Sequence, residues 1–163
     1  MARSRGHKLY LRRPRRTYGG ERVLVQAWSH RRRRKEPGVR YELPIVEFEN
    51  GKLFIYAGNI DAFPEGTGAG SAFLSTVVHP MFQEMARRTG ITVVHHPWVT
   101  NNGARDFFIK RHGYEQVVDD YEGFSSKDFV KREFPPRGKP KPLSENQERA
   151  MRMIFGRHYR RAD

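Results

Sequence analysis

The residues best placed to do chemistry lie in Phe63-Pro64-Glu65-Gly66-Thr67-Gly68-Ala69-Gly70-Ser71-Ala72-Phe73-Leu74. Gly66, Gly68 and Gly70 alternate with small residues, and an apolar run with helical spacing follows. Glycines so placed let a backbone approach a ligand without Cβ clashes and tolerate positive φ. Where such a loop joins a strand to a helix, backbone N–H groups and the helix N-terminus converge on a position suited to phosphate. The chemistry on offer is anion binding by amides.

The loop needs a strand before it and a helix after it. Leu53-Phe54-Ile55-Tyr56-Ala57 supplies the strand pattern. Tyr41–Glu49 and Lys52–Ile60 read as a β-hairpin about Glu49-Asn50-Gly51, with both strands apolar enough to be central in a sheet. A helix is expected to start near Ser71, which can cap it. Pro80 is expected to kink or split that helix near His79, leaving Met81–Thr89 as a second piece ended by Gly90. Ile91–His96 is the next strand, stopped by Pro97, and Asn101–His112 a short amphipathic helix with Gly113 beyond its end. Tyr114–Val118 begins a further strand, and Arg22–Trp28 is an earlier one. Ser144 caps a last helix, on which Leu143, Gln147, Ala150, Met151, Ile154 and His158 share a face. The chain divides into a basic arm (1–20), a folded domain (21–133), a Pro-rich linker (134–142) and a basic C-terminal helix (143–163).

Charge is unevenly placed in this +13 chain of 163 residues. Residues 1–35 hold 13 Lys and Arg against one acid, Glu21, whereas residues 36–163 hold 18 against 17. Such asymmetry implies a polyanionic partner, nucleic acid first, and argues against small cationic substrates. Arg12, Arg13, Arg15 and Arg16 in the arm, and the run Arg31, Arg32, Arg33, Arg34, Lys35, are the expected phosphate contacts, with Tyr10 and Tyr18 available to stack. The absence of cysteine excludes disulfides, thiolate metal sites and a thiol nucleophile. With no apolar run of membrane-spanning length and no secretory h-region, a cytoplasmic place is expected, in a bacterium or phage-infected cell.

A second motif follows the glycine loop at a distance, Asn102-Gly103-Ala104-Arg105-Asp106-Phe107-Phe108-Ile109-Lys110-Arg111-His112-Gly113-Tyr114. With Gly66–Leu74 before it and a strand between, the pair resembles the GNAT acyltransferase superfamily, over roughly residues 41–120. Members typically read Arg-Gly-x-Gly-x-Gly-Ser-x-Leu-Leu at a helix start, then a strand, then Asn, then Phe-Tyr-x-x-x-Gly-Phe. In size and charge the chain also resembles phage Mom-like DNA-modification enzymes, which are GNAT-like and modify adenine in DNA. The resemblance implies an α+β fold with a mixed, mostly antiparallel sheet flanked by helices, and a V-shaped splay between two central strands. It implies acetyl-CoA or another acyl-CoA, with Gly66, Thr67, Gly68, Ala69, Gly70 and Ser71 about the pyrophosphate. Ile60 and Ala62 would lie beside the pantetheine and Asn102 would reach the coenzyme from the other side. Two positions depart from the family pattern: Glu65 stands where Arg or Gln precedes the first glycine, and Ile109 where a Tyr often protonates the departing thiolate.

An amine attacking a thioester needs a base and a polarising N–H more than a covalent nucleophile. Base candidates are Asp61 at the strand end, Glu49 in the hairpin turn and Tyr56 through a water. His95 and His96 form a pair that suits a base or a ligand set; with no acid at metal spacing, no metal site is expected. Trp98 suits the core or, at a cleft mouth, stacking on an acceptor base. The reaction expected is N-acylation of a nucleic-acid base or a nucleic-acid-bound acceptor. The alternatives are a GNAT-like module that binds nucleic acid without turnover and a structural component of a nucleoprotein or virion particle.

Overall fold

A computed structural model of the chain describes residues 9–11, 15–16, 23–29, 38–56, 58–63, 68–97, 99, 102–116 and 130–162. The fold is α+β. Its frame is one long hairpin. Strands β4 (Gly38–Glu42) and β5 (Ile45–Glu49) make its first leg, and β6 (Lys52–Tyr56) and β7 (Ile60–Phe63) its second. Glu49 pairs with Lys52 and Ile45 with Tyr56; beyond a break, Tyr41 pairs with Ile60 and Gly38 with Phe63. The Glu42 N–H donates to the Asn59 carbonyl across the break, so the register carries through. Asn50 and Gly51 turn the chain with φ of 51° and 75°, the two positive values that a tight hairpin turn requires.

The expected uninterrupted strands are therefore each divided in two. Pro44 cannot donate to the ladder. Opposite it Gly58 has φ 82°, and a Cβ there would stand 3.1 Å from Pro44 Cβ and 3.3 Å from the Tyr41 hydroxyl. Gly58→Ala is accordingly expected to destabilise the fold by about 2–3 kcal/mol. Gly51→Ala, at positive φ but with nothing within 4 Å, carries backbone strain alone and should cost about 1 kcal/mol. Urea midpoints of the two variants check this, and equal midpoints would remove close approach as the reason for Gly58.

The two halves of the hairpin belong to different sheets. The β4–β7 half continues through β3 (Val23–Ser29), which pairs with β1 (Leu9–Leu11) and β2 (Arg15–Arg16). The β5–β6 half continues through β8 (Val93–His96), β10 (Val130–Phe134) and β9 (Glu115–Gln116). The β6–β8 pair is parallel and the other pairings are antiparallel. Leu53, Ile55 and Val93 are fully buried, so β6 is central as expected; β5 instead lies at a sheet edge with Ile45 and Phe48 exposed.

Between β7 and β8 runs α1 (Ala69–Phe73), a wider i→i+5 turn (Leu74–Val78) and α2 (His79–Thr89), as one helical path. Pro80 does not split it. The widened turn lies just before the proline, where an ordinary helix would clash with the ring and want its missing N–H. Ser75 and Thr76 hydroxyls donate to the Ser71 and Ala72 carbonyls in that segment. Burial of Phe73, Leu74, Val78, Met81, Phe82 and Met85 holds the path together. Gly90, φ 68°, ends it as expected.

The last helix, α4 (Glu145–Phe155), starts at Ser144 with a capping box completed by Gln147. Its buried Ala150, Met151, Ile154 and Phe155 join the same core, and Phe82 meets Phe155 edge to face. A short 3₁₀ turn, Gly156–Ala162, follows. The Pro-rich segment before it lies along α2. Gln83 donates to the Pro135 carbonyl, Arg87 to the Arg137 carbonyl, and the Lys141 N–H to the Glu84 carboxylate. Glu84 is buried with Arg87 and Arg88 at its oxygens, and Arg88 continues to Glu148 and the Tyr159 hydroxyl.

Candidate ligand site

The site forms where the second leg of the hairpin changes sheets. Tyr56 and His96 make the last rung shared by β6 and β8. Four residues later Ile60 has paired with Tyr41, and β7 has β4 alone as a neighbour among the described residues. The pairing of the two strands thus ends at that rung, where β8 itself ends and the other strand goes on to a new neighbour. At the parting, two buried polar atoms have no partner: the Tyr41 hydroxyl, in the first rung of one arm, and His96 Nδ1, in the last rung of the other. Burial raises Tyr41 above the usual phenol range and pushes His96 down to about 4, with Lys131 adding to the latter. Both groups are neutral near pH 7.

Beyond β7 the chain reaches Gly68, which has φ 77° and serves as the N-cap of α1; Ser71 does not cap it. The left-handed cap explains the glycine, since a Cβ there costs about 1–2 kcal/mol. The Ala72 N–H donates to the Gly68 carbonyl as the first bond of the helix. Ala69 is buried, while Gly70 and Ser71 are half-buried in the first turn. Ser71 Oγ lies 2.8 Å from His112 Nε2. Glu65, Gly66 and Thr67 lie outside the described residues, as do Trp98, Arg12, Arg13 and Arg31–Lys35. Arg15 and Arg16 stand opposite Leu24 and Val23 on β3.

Not all the expected site residues come together. Ile60, half-buried, exposed Asp61 and Ala62 are consecutive on β7, in register with Tyr41, Arg40 and Val39. Half-buried Tyr56 is at the parting, its ring 5.5 Å from that of His96. Glu49 is at the far end of the hairpin, four residues along from the Ile45–Tyr56 rung and so roughly 13 Å away. Asn102 opens α3 (Asn102–His112), exposed, with its side-chain oxygen accepting from Arg105. The end of α3 that touches Ser71 is the other one, at His112. Strand alternation sends His95 and His96 to opposite faces, so they form no joint set: His95 meets Phe82 and Phe108, and His96 meets Phe54 and Tyr56.

The pattern of residue types did not bring out a buried polar chain beneath the site. Arg132 NH1 lies 3.3 Å from His79 Nδ1, His79 Nε2 lies 2.9 Å from the Tyr114 hydroxyl, and that hydroxyl lies 2.5 Å from His95 Nδ1. Arginine has donors only, so His79 Nδ1 must accept. Burial, with the Arg132 and His112 charges, pushes His79 down to about 3, so the ring is neutral and its proton sits on Nε2. That N–H donates to Tyr114, and Tyr114 donates to His95 Nδ1. The remaining proton of neutral His95 is then on Nε2, a fully buried donor without a partner. Burial raises Tyr114 and holds His95 well below its ordinary value. Among the described residues no three side chains gather as metal ligands. No helix among them is long and apolar enough to cross a membrane.

Comparison of the chain with protein-family models and with curated proteins finds no match.

Proposed function

We propose that the chain is a GNAT-type, acyl-CoA-dependent N-acyltransferase acting on a nucleic-acid base or a nucleic-acid-bound acceptor. One observation carries the reading: the parallel pairing of β6 and β8 ends where the β6 leg passes to the other sheet as β7, and a glycine-capped helix follows β7 in the chain. A parting of that kind admits a narrow chain between strands, and the helix start beside it suits a diphosphate. The unpartnered Tyr41 hydroxyl and His96 Nδ1 fit amide groups on such a chain, since buried polar atoms want partners. Gly68, Gly70 and Ser71 would hold the phosphates, with Ile60 beside the arm.

The coenzyme supplies an acyl thioester. Asp61, exposed on β7 next to Ile60, is the group to accept the amine proton, and Tyr56 orients the acceptor at the parting. The excess of cations in residues 1–35 suits a polyanionic acceptor. A second reading, a binding module without turnover, is favoured by Ile109, which packs on the core where the family often has a phenol. Mass spectrometry of DNA, RNA and protein from cells making the chain separates the two. Acylated product is expected with the native sequence and about a hundredfold less with Asp61→Ala. Absence of any acylated species alongside retained nucleic-acid binding would replace the first reading by the second.

A further inference from the structure

Arg132 is a half-buried charge for which the described residues supply no carboxylate partner. It lies on β10, its guanidinium 4.9 Å over the Phe134 ring. NH1 donates to the His112 carbonyl and to His79 Nδ1, which are neutral acceptors. A guanidinium has five N–H donors, so Nε and NH2 retain three that these contacts leave over.

Arg132 borders a cleft of about 540 Å³ lined also by Ser75, His79, Arg111, His112 and Gly113. The lining holds two guanidinium groups and no acid. Acids begin in the two adjoining clefts: Glu115 and Glu133, whose carboxylate accepts from Lys52, in one, and Glu84, already paired with Arg87 and Arg88, in the other. Burial and the two arginines lower the pKa of His112, so its ring adds a neutral polar edge. A cationic fork with spare donors and a second, exposed arginine around one hollow match the shape and charge of a tetrahedral oxyanion.

We propose that this cleft is an oxyanion site that takes a phosphate group, from a phosphorylated small molecule or from a nucleic-acid backbone. The site adjoins the glycine-capped helix start through the Ser71–His112 contact but is built on Arg132 and Arg111, and it does not depend on the acyltransferase reading. Arg132 approaches from β10, Arg111 from the end of α3, and Ser75 from the second turn of the helical path, so three elements fix its geometry.

The test follows the His112 ring and Gly113 amide signals by NMR in the full chain, titrated with inorganic phosphate against chloride at equal ionic strength. Saturable shifts with phosphate are expected. Arg111→Glu, at an exposed position, should keep the fold and weaken the response at least about tenfold, the worth of one charge-assisted contact. Arg132→Lys keeps the charge but loses the fork and should also weaken it. A short single-stranded oligonucleotide forms the second arm. If it moves the same two signals, the phosphate comes from a nucleic-acid backbone; if it moves only others, the source is a small molecule. No saturable response beyond that of chloride, or an undiminished one in Arg111→Glu, overturns the proposal. Coenzyme binding read at Gly68 fails or succeeds independently of this outcome.

Discussion

Lowering the pH from 6.5 to 4.5 is expected to unfold the protein cooperatively. His79, His95, His96 and His112 are all buried, and burial is the first cause of the lowered pKa in each. The charges facing them are Arg132 for His79 and His112, Arg111 for His112, and Lys131, opposed by Glu133, for His96. In the unfolded chain each imidazole takes a proton near pH 6.5. In the folded protein His79 does so at about 3 and His96 at about 4. Above pH 6.5 neither state binds the proton, and stability is level. Below it the unfolded state binds more protons, so stability falls with falling pH until the folded values are reached. Each histidine contributes about 1.4 kcal/mol per pH unit across that window. His79 and His96 together over two units amount to roughly 5 kcal/mol, a large part of the stability of a domain, and His95 and His112 act in the same direction. Circular dichroism in the far and near ultraviolet should show loss of structure between pH 6 and pH 4, reversed on neutralisation. His96→Phe keeps a flat ring against Phe54 and Tyr56 while removing one titrating group and one unpartnered atom. Its midpoint should move to lower pH. A fold intact at pH 4, or a His96→Phe midpoint equal to that of the native sequence, would show that the rings are protonated without unfolding.

These histidines also mark where sequence reading stops. Elements governed by local chemistry were legible: the Asn50-Gly51 turn, the Ser144 and Gln147 capping box, and the helix ends at Gly90 and Gly113 with their positive φ. Pro80, read as a kink or split near His79, does mark the place where α2 begins after a widened turn, although the local rule counts a missing N–H and a ring clash as a break. The fold absorbs both in one widened turn while burying Val77, Val78, Met81 and Phe82. Ser71 matched a cap by type, yet its hydroxyl is committed to His112, 41 residues away, and Gly68 does the capping. The polar chain is harder still. His79, Tyr114 and Arg132 meet through separations of 35 and 53 residues, and no local period links them. The opposite faces of His95 and His96 were, by contrast, readable from strand alternation alone. The helix after the glycines was legible, though from Ser71 rather than Gly68, and the change of sheet between β6 and β7 was not. Of the hairpin, the sequence displays Pro44 and Gly58 but not that they stand at one break.

Coenzyme A is expected to raise the melting temperature of the native chain and to leave that of Gly68→Trp unchanged. At a coenzyme concentration a hundred times Kd, binding to the folded state alone adds about 2.7 kcal/mol. For a chain of 163 residues that corresponds to a shift of roughly 5–10 °C. Gly68 has φ 77° at the start of α1, so every L residue there carries strain, and a test needs to separate strain from bulk. Gly68→Asn makes the separation. Asparagine tolerates the left-handed region better than other side chains and covers little of the helix start. Both variants should melt below the native protein in the absence of coenzyme, by about 2–4 °C for each kcal/mol of strain. Only Gly68→Asn should respond to it. An equal response in Gly68→Trp would take the helix start out of the binding site, whatever else binds. If the native chain gives no response while still binding an oligonucleotide with steep salt dependence, the parted strands serve no coenzyme. The cations of residues 1–35 then carry the function by themselves.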